Sequence, residues 1–393
     1  MWDQHRRMPR WDINAGLPVA GRHYPRDLRQ FGSWIRSEAD AAAYLSAIRF
    51  RSGRVCPRCQ AEIAELGEGR TWCGKCRRWF TVTTGTLLER TKVPLDIWLL
   101  VAWHLVQTKV GVSALSVQRL VGIDYRTAWF LLHKMRLAMD QDGRERLSGD
   151  VEFDETYVGG RAPGAIGRSR QNKEPVAVAC EQGPGGQTGR IRLARLPDAS
   201  ALAIADFIAA SVEPGATLHS DDWTAYAAAF EELEARGLHY ERDVTTLSGT
   251  AARAHLVHPS VHRVASLAKR WLLGTHQGAV EGRHLDAYLD EFVFRLNRRH
   301  STSRGLVFWR LVCGLLDTAP STREEMGRRQ VRRAEGDLIH AERVEAWRRE
   351  RERAQDRERY RRRVEATGRS VDPYTERRNR RSIALAPQPV DTA

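Results

Sequence analysis

The stretch that decides the fold reads Val151-Glu152-Phe153-Asp154-Glu155-Thr156-Tyr157-Val158-Gly159-Gly160. From Val151 to Asp154 apolar and acidic residues alternate, the pattern of a strand with one buried face, and the glycine pair permits a sharp turn. That sets a carboxylate, Asp154, on a rigid edge beside a turn. Taken alone, acids near a strand end are as easily solvated turn residues. A second acidic site, Ser220-Asp221-Asp222-Trp223, follows the short run Ala216-Thr217-Leu218, and a helical segment with His262 and Lys269 comes after it. Acidic groups far apart in sequence, each at a strand end or on a helix, are what a divalent-metal phosphoryl-transfer site requires.

The residues around these sites read as a mixed α/β sheet. Pro175–Cys180 and Gly189–Ala194 have strand composition, with Gln182 to Gly189 as their hairpin connection. Ser200 to Val212 is an alanine-rich helix with Ser200 as N-cap, and Ala216 to His219 is a short strand leading into Asp221. Gly159 to Lys173, rich in glycine and arginine, is a basic loop beside the site. In the helix from Ser260 to Leu273, His262, Ser266 and Lys269 fall at i, i+4 and i+7 on one face, while Val264, Leu267, Ala268 and Trp271 are free to pack elsewhere. A surface helix with an incidental histidine would look the same. The company of Asp154 and Asp221 favours a shared site.

Upstream, Ser37 to Arg49 forms a helix with Ser37 as N-cap and Ala41, Tyr44, Leu45 and Ile48 on one face. Cys56-Pro-Arg-Cys59 follows, then thirteen residues, then Cys73-Gly-Lys-Cys76. Two such knuckles set four thiolates around one zinc ion in a closed, structural site. Arg54, Arg58, Arg70, Lys75, Arg77 and Arg78 give this ribbon a cationic surface suited to phosphates. From Pro94 to Met139 the pattern is helical, broken at Gly111 and again at Gly122, with Ser113 and Asp124 as caps. A short helix, a glycine turn and a second helix offering Tyr125, Arg126, His133 and Lys134 outward have the form of a DNA-reading helix-turn-helix. Many helical hairpins of this form bind nothing.

The chain has 393 residues, enough for two or three domains, and 63 lysines and arginines against 49 acids give a net charge of +14. A polyanionic partner, most simply nucleic acid, follows from that excess. About half of the excess lies in the tail from Arg323 to Arg381, and the rest is spread through the chain. Met1 to Gln30 is polar and arginine-dotted, without the apolar centre of a signal peptide, and the longest apolar stretch, Pro94 to Val106, contains Asp96 and His104. A cytoplasmic protein associated with the nucleoid is expected. Cys180 and Cys313 stand apart in apolar surroundings, as buried thiols.

Taken together, Val151 to Gly160, Ser220 to Tyr226 and the run from Val261 to Gly278 resemble the DDE-superfamily transposases of bacterial insertion sequences. Phe80 to Thr86, after the ribbon, and His284 to Arg299 extend the resemblance. The subgroup it points to carries an ISXO2-like transposase domain, joins an N-terminal zinc ribbon to a ribonuclease-H-like catalytic domain, and can replace its third acid by Asn or His, followed by Lys. The resemblance implies Asp154, Asp221, His262 and Lys269 as the catalytic set, with magnesium or manganese held by Asp154, Asp221 and His262. It implies double-stranded DNA as partner, both element ends and target, no membrane, and a homo-oligomer assembled on the DNA. Arg126, Lys134, Lys269 and Arg270 are the expected DNA contacts.

The expected organisation is an arm and helix over 1–50, a zinc ribbon over 51–90, a helix-turn-helix-like region over 91–145, a ribonuclease-H-like domain over 146–318 and a charged tail over 319–393, helical or disordered. Two departures stand out. Asp222 takes a place where the family more often has Gly, so it competes with Asp221 for the role, and the tail is longer than the family requires. Glu291, close to Arg295 at i+4, is the rival third ligand. A zinc-dependent DNA-binding regulator with a relic catalytic domain, and a simple nuclease of the same fold, are the alternative functions.

Overall fold

The computed structural model describes residues 18–64, 69–140, 145–159, 173–245, 257–278, 280 and 282–367. The sequence readings that fall on 1–17, on 160–172 of the basic loop and beyond 367 lie outside them. The chain begins with α1 (Leu28–Trp34) and α2 (Glu38–Arg49), followed by a two-stranded ribbon, β1 (Thr71–Cys73) and β2 (Arg78–Phe80). Three helices come next, α3 (Leu95–Gln107), α4 (Ala114–Val121) and α5 (Tyr125–Leu137). Side-chain caps start most of these helices: Ser37 accepts from Asp40 N, Ser113 from Ser116 N, and Asp124 from the amides of Arg126 and Thr127. Gly122, with φ of 71°, supplies the left-handed turn between α4 and α5 that a side chain would strain.

The sheet is built from β3 (Asp150–Val158), β4 (Glu174–Gly183), β5 (Gln187–Arg195), β6 (Thr217–Asp221) and β7 (Glu241–Thr245), in the order β5-β4-β3-β6-β7. Strands β3, β4 and β5 form an antiparallel meander, while β6 and β7 run parallel to β3. This mixed order, with the first strand central, is that of a ribonuclease-H-like domain. Helices α6 (Ala201–Ser211) and α7 (Thr224–Ala235) cover one face, where Phe153 meets Phe207 and Tyr226 at ring distances of 5.9 and 5.3 Å. Helices α8 (Pro259–His276) and α9 (Leu285–Leu296) cover the other, packing Val261, Val264, Leu285 and Leu289 on Val176, Val178, Ile191 and Leu193.

The sequence alternation ends at Asp154, yet β3 continues four residues further, because β4 pairs with it as far as Val158↔Glu174. Asp154 therefore lies in mid-strand, and the turn begins at Gly159, whose φ is 140°. The outer strand β5 would expose an unpaired edge. Side chains at and after α9 cover it: Asn297 both accepts from Ile191 N and donates to Ile191 O, Asp286 accepts from Arg195 N, and Arg299 donates to the carbonyls of Thr188 and Gly189.

Helix α10 (Arg304–Asp317) returns to the helical core, where Phe308 contacts Phe31, Tyr44 and Trp103. At Gly314 a Cβ would come 2.5 Å from Ala138 O, so only glycine permits that approach to the end of α5. The last element, α11 (Arg323–Thr367), is one long helix with i,i+4 pairs such as Arg362–Glu358, the helical form of the two expected for the tail. Among the described residues no helix is long and apolar enough to cross a membrane.

A buried ion network joins the helical region to the sheet. Glu291 on α9 is fully buried, accepting from Arg136 of α5 at 2.8 Å and pairing with Arg295 at 3.3 Å. Arg136 also lies over the Tyr288 ring at 4.0 Å, and Arg295 donates to the carbonyls of Leu105, Thr108 and Lys109 at the end of α3. Removing one partner of a buried pair leaves uncompensated charge in the interior, which costs about 3–5 kcal/mol. Glu291→Ala is therefore expected to lower the free energy of unfolding in urea by about 3–5 kcal/mol, and a loss below about 1 kcal/mol, the range of exposed pairs, would show that the network contributes little.

Candidate metal centre and active site

The two cysteine knuckles repeat one backbone design. Gln60 N donates to Cys56 O and Arg77 N to Cys73 O, both at 2.9 Å, and Gln60 and Arg77 take the left-handed conformation at φ of 58° and 54°. Each tight turn brings its two sulfurs to one side. Cys56 Sγ lies 3.8 Å from Cys76 Sγ and Cys59 Sγ lies 3.6 Å from Cys73 Sγ, and all four sulfurs fall within 4.8 Å of one another. The backbone N–H of Cys76, aimed at Cys73, is the main cause that pulls the Cys73 thiol down to about 6. Four convergent sulfurs with no disulfide between them form a set that could hold a zinc ion. Replacing Cys59 by Ser should release the metal and unfold the ribbon, because thiolate–metal bonds supply much of so small a module's folding energy. Elemental analysis of the native and variant proteins checks this, and a native protein without zinc would sink the assignment.

The candidate acidic site lies where the parallel ladder between β3 and β6 ends. The last paired residues are Glu152 and His219, and continuing that register by two residues sets Asp154 opposite Asp221. Both face the side of the sheet covered by α8. The Nδ1 of His262, in the first turns of α8, lies 3.8 Å from Asp154 Oδ2. Lys269, two turns further along, is exposed and close enough to Asp154 for their charges to interact. The four residues singled out from sequence thus meet in one region. Asp222 lies past the end of β6 and is exposed, whereas Asp221 accepts from Trp223 N at 3.1 Å and shares the face of Asp154. Glu291, the rival third ligand, is held in the ion network described above.

Electrostatics distinguish this site from an ordinary polar edge. Burial pushes the Asp154 carboxyl up to about 6; the Glu155 N–H opposes the rise and Asp221 adds to it. Glu155, on the opposite face, is pushed up to about 7, again mainly by burial. The Tyr226 hydroxyl donates to Glu155 and holds it in place, while burial and then Glu155 push the phenol well above its usual range. A carboxyl raised by burial and by a neighbouring acid favours a bound cation. The ligand atoms of Asp154, Asp221 and His262 are not drawn as close as the cysteine sulfurs; among the described residues only the cysteine quartet gathers within 4.8 Å. Two carboxylates and an imidazole nitrogen, set apart in this open way, could hold a divalent cation that keeps several waters.

Two features escape a sequence reading. Glu152 has the alternation of a solvent-facing strand residue, but it is 2% exposed and accepts from the amides of Ser260 and Val261 at 2.8 and 3.0 Å. It caps the start of α8, which opens on Pro259 and lacks a side-chain cap of its own. Glu155 looks in sequence like a neighbour of the site, and only the fold brings Tyr226 onto it. One expectation is corrected. Lys134 is buried at 6% exposure, its Nζ donating to Leu87 O at 2.6 Å, and His133 is buried beside it, so neither is available to DNA. The helical period places both on the inward face of α5, against the segment after the ribbon and against Tyr288. Arg126 and Tyr125 remain exposed at the helix start, and Lys269 and Arg270 are exposed on α8.

Sheet order and the position of the acids define the class: a ribonuclease-H-like domain with a candidate metal site at the ends of its central parallel strands. Residues 146–297, the sheet with α6 to α9, match the family model described as the ISXO2-like transposase domain. Over those residues the chain is similar to DDE-superfamily insertion-sequence transposases. It is 28% identical over 279 residues to the uncharacterized protein in transposable element ISH50 of Halobacterium salinarum, a match covering 66% of this chain and 90% of that one. Among solved structures, the catalytic core domain of BIV integrase is 21% identical with a TM-score of 0.28, over 40% of this chain and 90% of that one. The HTLV-2 integrase catalytic core domain in complex with magnesium is 11% identical with a TM-score of 0.26, over 42% of this chain and 98% of that one. At those scores the fold rests on the strand order itself.

The cap on α8 makes a local prediction. Glu152→Ala removes the acceptor for two buried amides, so the first turn of α8 should open more readily. Hydrogen exchange at Ser260 and Val261 is expected to quicken by at least about tenfold while the centre of β3 is unchanged. Unaltered exchange at both amides would show that another group holds the helix start.

Proposed function

We propose that the protein is a DNA transposase that cleaves the ends of an insertion sequence and joins them to target DNA. The observation that carries this reading is the meeting of Asp154, Asp221 and His262 at the open end of the β3–β6 ladder, within a domain matching a transposase family. Asp154, Asp221 and His262 are the ligands of the divalent metal ions, and Lys269 grips a phosphate as a point charge. Magnesium or manganese bound there would supply Lewis-acid activation of the attacking oxygen and neutralise the leaving oxygen. In the cleavage step a water oxygen bonds to phosphorus as the bond to the 3′ oxygen breaks, freeing a 3′-hydroxyl and a 5′-phosphate. In the joining step that 3′-hydroxyl attacks a target phosphate in line, and the target's own 3′ oxygen leaves with a proton.

An imidazole in the third place makes the site less anionic than three carboxylates and tilts it toward manganese, which accepts nitrogen more readily than magnesium. The cysteine quartet holds zinc. The ribbon and the α4–α5 hairpin bind double-stranded DNA at the element ends, with Arg126 and Arg270 among the contacts, and copies of the chain assemble there. Work on chromosomal DNA sets its place in the cytoplasm.

A strand-transfer assay with the element's own ends tests this reading. His262→Ala should reduce cleavage and joining by at least about 100-fold while DNA binding stays near wild type, and His262→Glu should recover part of the activity because a carboxylate restores an oxygen ligand. Wild-type joining by His262→Ala would remove His262 from the site. Cleavage without joining by the native protein would favour a simple nuclease, and binding without either reaction a regulator.

A further inference from the structure

The ribbon carries a feature that its metal site does not use. Trp72 on β1 and Trp79 on β2 are direct cross-strand partners, and their rings lie 5.3 Å apart at 58°. Thr71, Cys73 and Phe80 turn toward the ribbon interior, while the two indoles are 45% and 52% exposed. A small module that must bury apolar surface to fold gains nothing from leaving its two largest side chains in water. Arg70 lies over the Trp79 ring at 5.5 Å, and Lys75, Arg77 and Arg78 are exposed on the same hairpin. From Arg70 to Phe80 there are four basic residues and no acid.

Cations alone serve phosphates, and a duplex hides the faces of its bases inside the stack. Paired indoles match a different surface, the flat face of a base that has left its partner. We infer that the Trp72–Trp79 hairpin is a binding site for unpaired DNA bases beside a duplex, with the indoles stacking on the bases and Arg70, Lys75, Arg77 and Arg78 holding the adjoining phosphates. This rests on the transposase reading and adds to it the form of DNA that the ribbon recognises: a frayed or tailed end. The absence of acids on the hairpin favours a polyanion over a second copy of the chain.

The test uses the full-length, zinc-loaded protein and two fluorescein-labelled duplexes of the same sequence, one blunt and one with an unpaired oligothymidine 3′ tail. Wild type is expected to bind the tailed duplex about tenfold more tightly, the scale of one or two stacked bases. The double variant Trp72→Ala, Trp79→Ala should lose that preference, and Trp72→Phe, Trp79→Phe should keep most of it, both with unchanged zinc content. A tail containing 5-iodouracil, irradiated on the wild-type protein, should cross-link to Trp72 or Trp79, a readout that needs no variant to fold. Equal wild-type affinity for the two duplexes, a preference surviving the alanine changes, or cross-links mapping elsewhere would overturn the inference. So would loss of a dimer in the alanine variant with its tail preference intact, which would assign the tryptophans to a second copy. Failure of wild type to bind any of these duplexes would instead remove the transposase reading and this inference with it.

Discussion

The candidate site depends first on one buried carboxylate. Glu152 lies on β3 two residues before Asp154, and it accepts from the amides of Ser260 and Val261, just before His262. A helix start offers several amides without intrahelical partners and a partial positive charge, so a carboxylate there is doubly favoured. The bond ties the strand that carries the first acid to the helix that carries the imidazole. Without it, the 3.8 Å approach of His262 to Asp154 would rest, at this end of the helix, on the packing of Val261 and Val264 and on the hydroxyl bond from Thr188 to Ser260.

An exposed backbone carbonyl fixes that helix from its other end. Trp271 Nε1 and Thr275 Oγ1, on the last turns of α8, both donate to Val110 O, and Arg295 holds the carbonyls of Thr108 and Lys109 just before it. Gly111 completes the loop at φ of 73°, where a Cβ would collide with Arg295 and Glu291. The segment between α3 and α4 is therefore clamped onto the helices of the sheet. Through Arg136 and Glu291 the same clamp reaches α5. The α4–α5 hairpin and the helix with His262 and Lys269 are thus parts of one packed unit, held in a fixed mutual orientation.

What could be read from the sequence follows from the range of the interaction. Capping residues, knuckle cysteines and strand alternation act within a few residues, and Ser37, Ser113, Asp124, Ser200 and the cysteine quartet all stand as their local patterns imply. Groups whose partners lie far along the chain could not be read in this way. Arg136 meets Glu291 across 155 residues, and Glu152 meets Ser260 across 108. Lys134 shows the cost of treating charge as a sign of exposure: its stem and ammonium are drawn inward because Leu87 O needs a donor where no water reaches. The ion pair at i+4 between Glu291 and Arg295 was legible, but the stronger partner was not. Strand β7 carries no apolar alternation, and its pairing with β6 comes from the sheet rather than from its own composition.

The departure of this chain from a three-acid pattern has a physical account in the proposed reading. Asp154, Asp221 and Glu155 already bring three carboxylates to the end of the β3–β6 ladder, and their mutual repulsion adds to burial in raising Asp154 and Glu155. A fourth carboxylate on α8 would add to that repulsion whenever no cation is bound, and the site would have to protonate or splay. An imidazole supplies a ligand atom without a negative charge. The position of Tyr226 fits the same logic, because its hydroxyl donates to Glu155 and its hydrogen bonding also opposes the rise of Asp154. Asp222, exposed beyond β6, is the acid that this arrangement does not need.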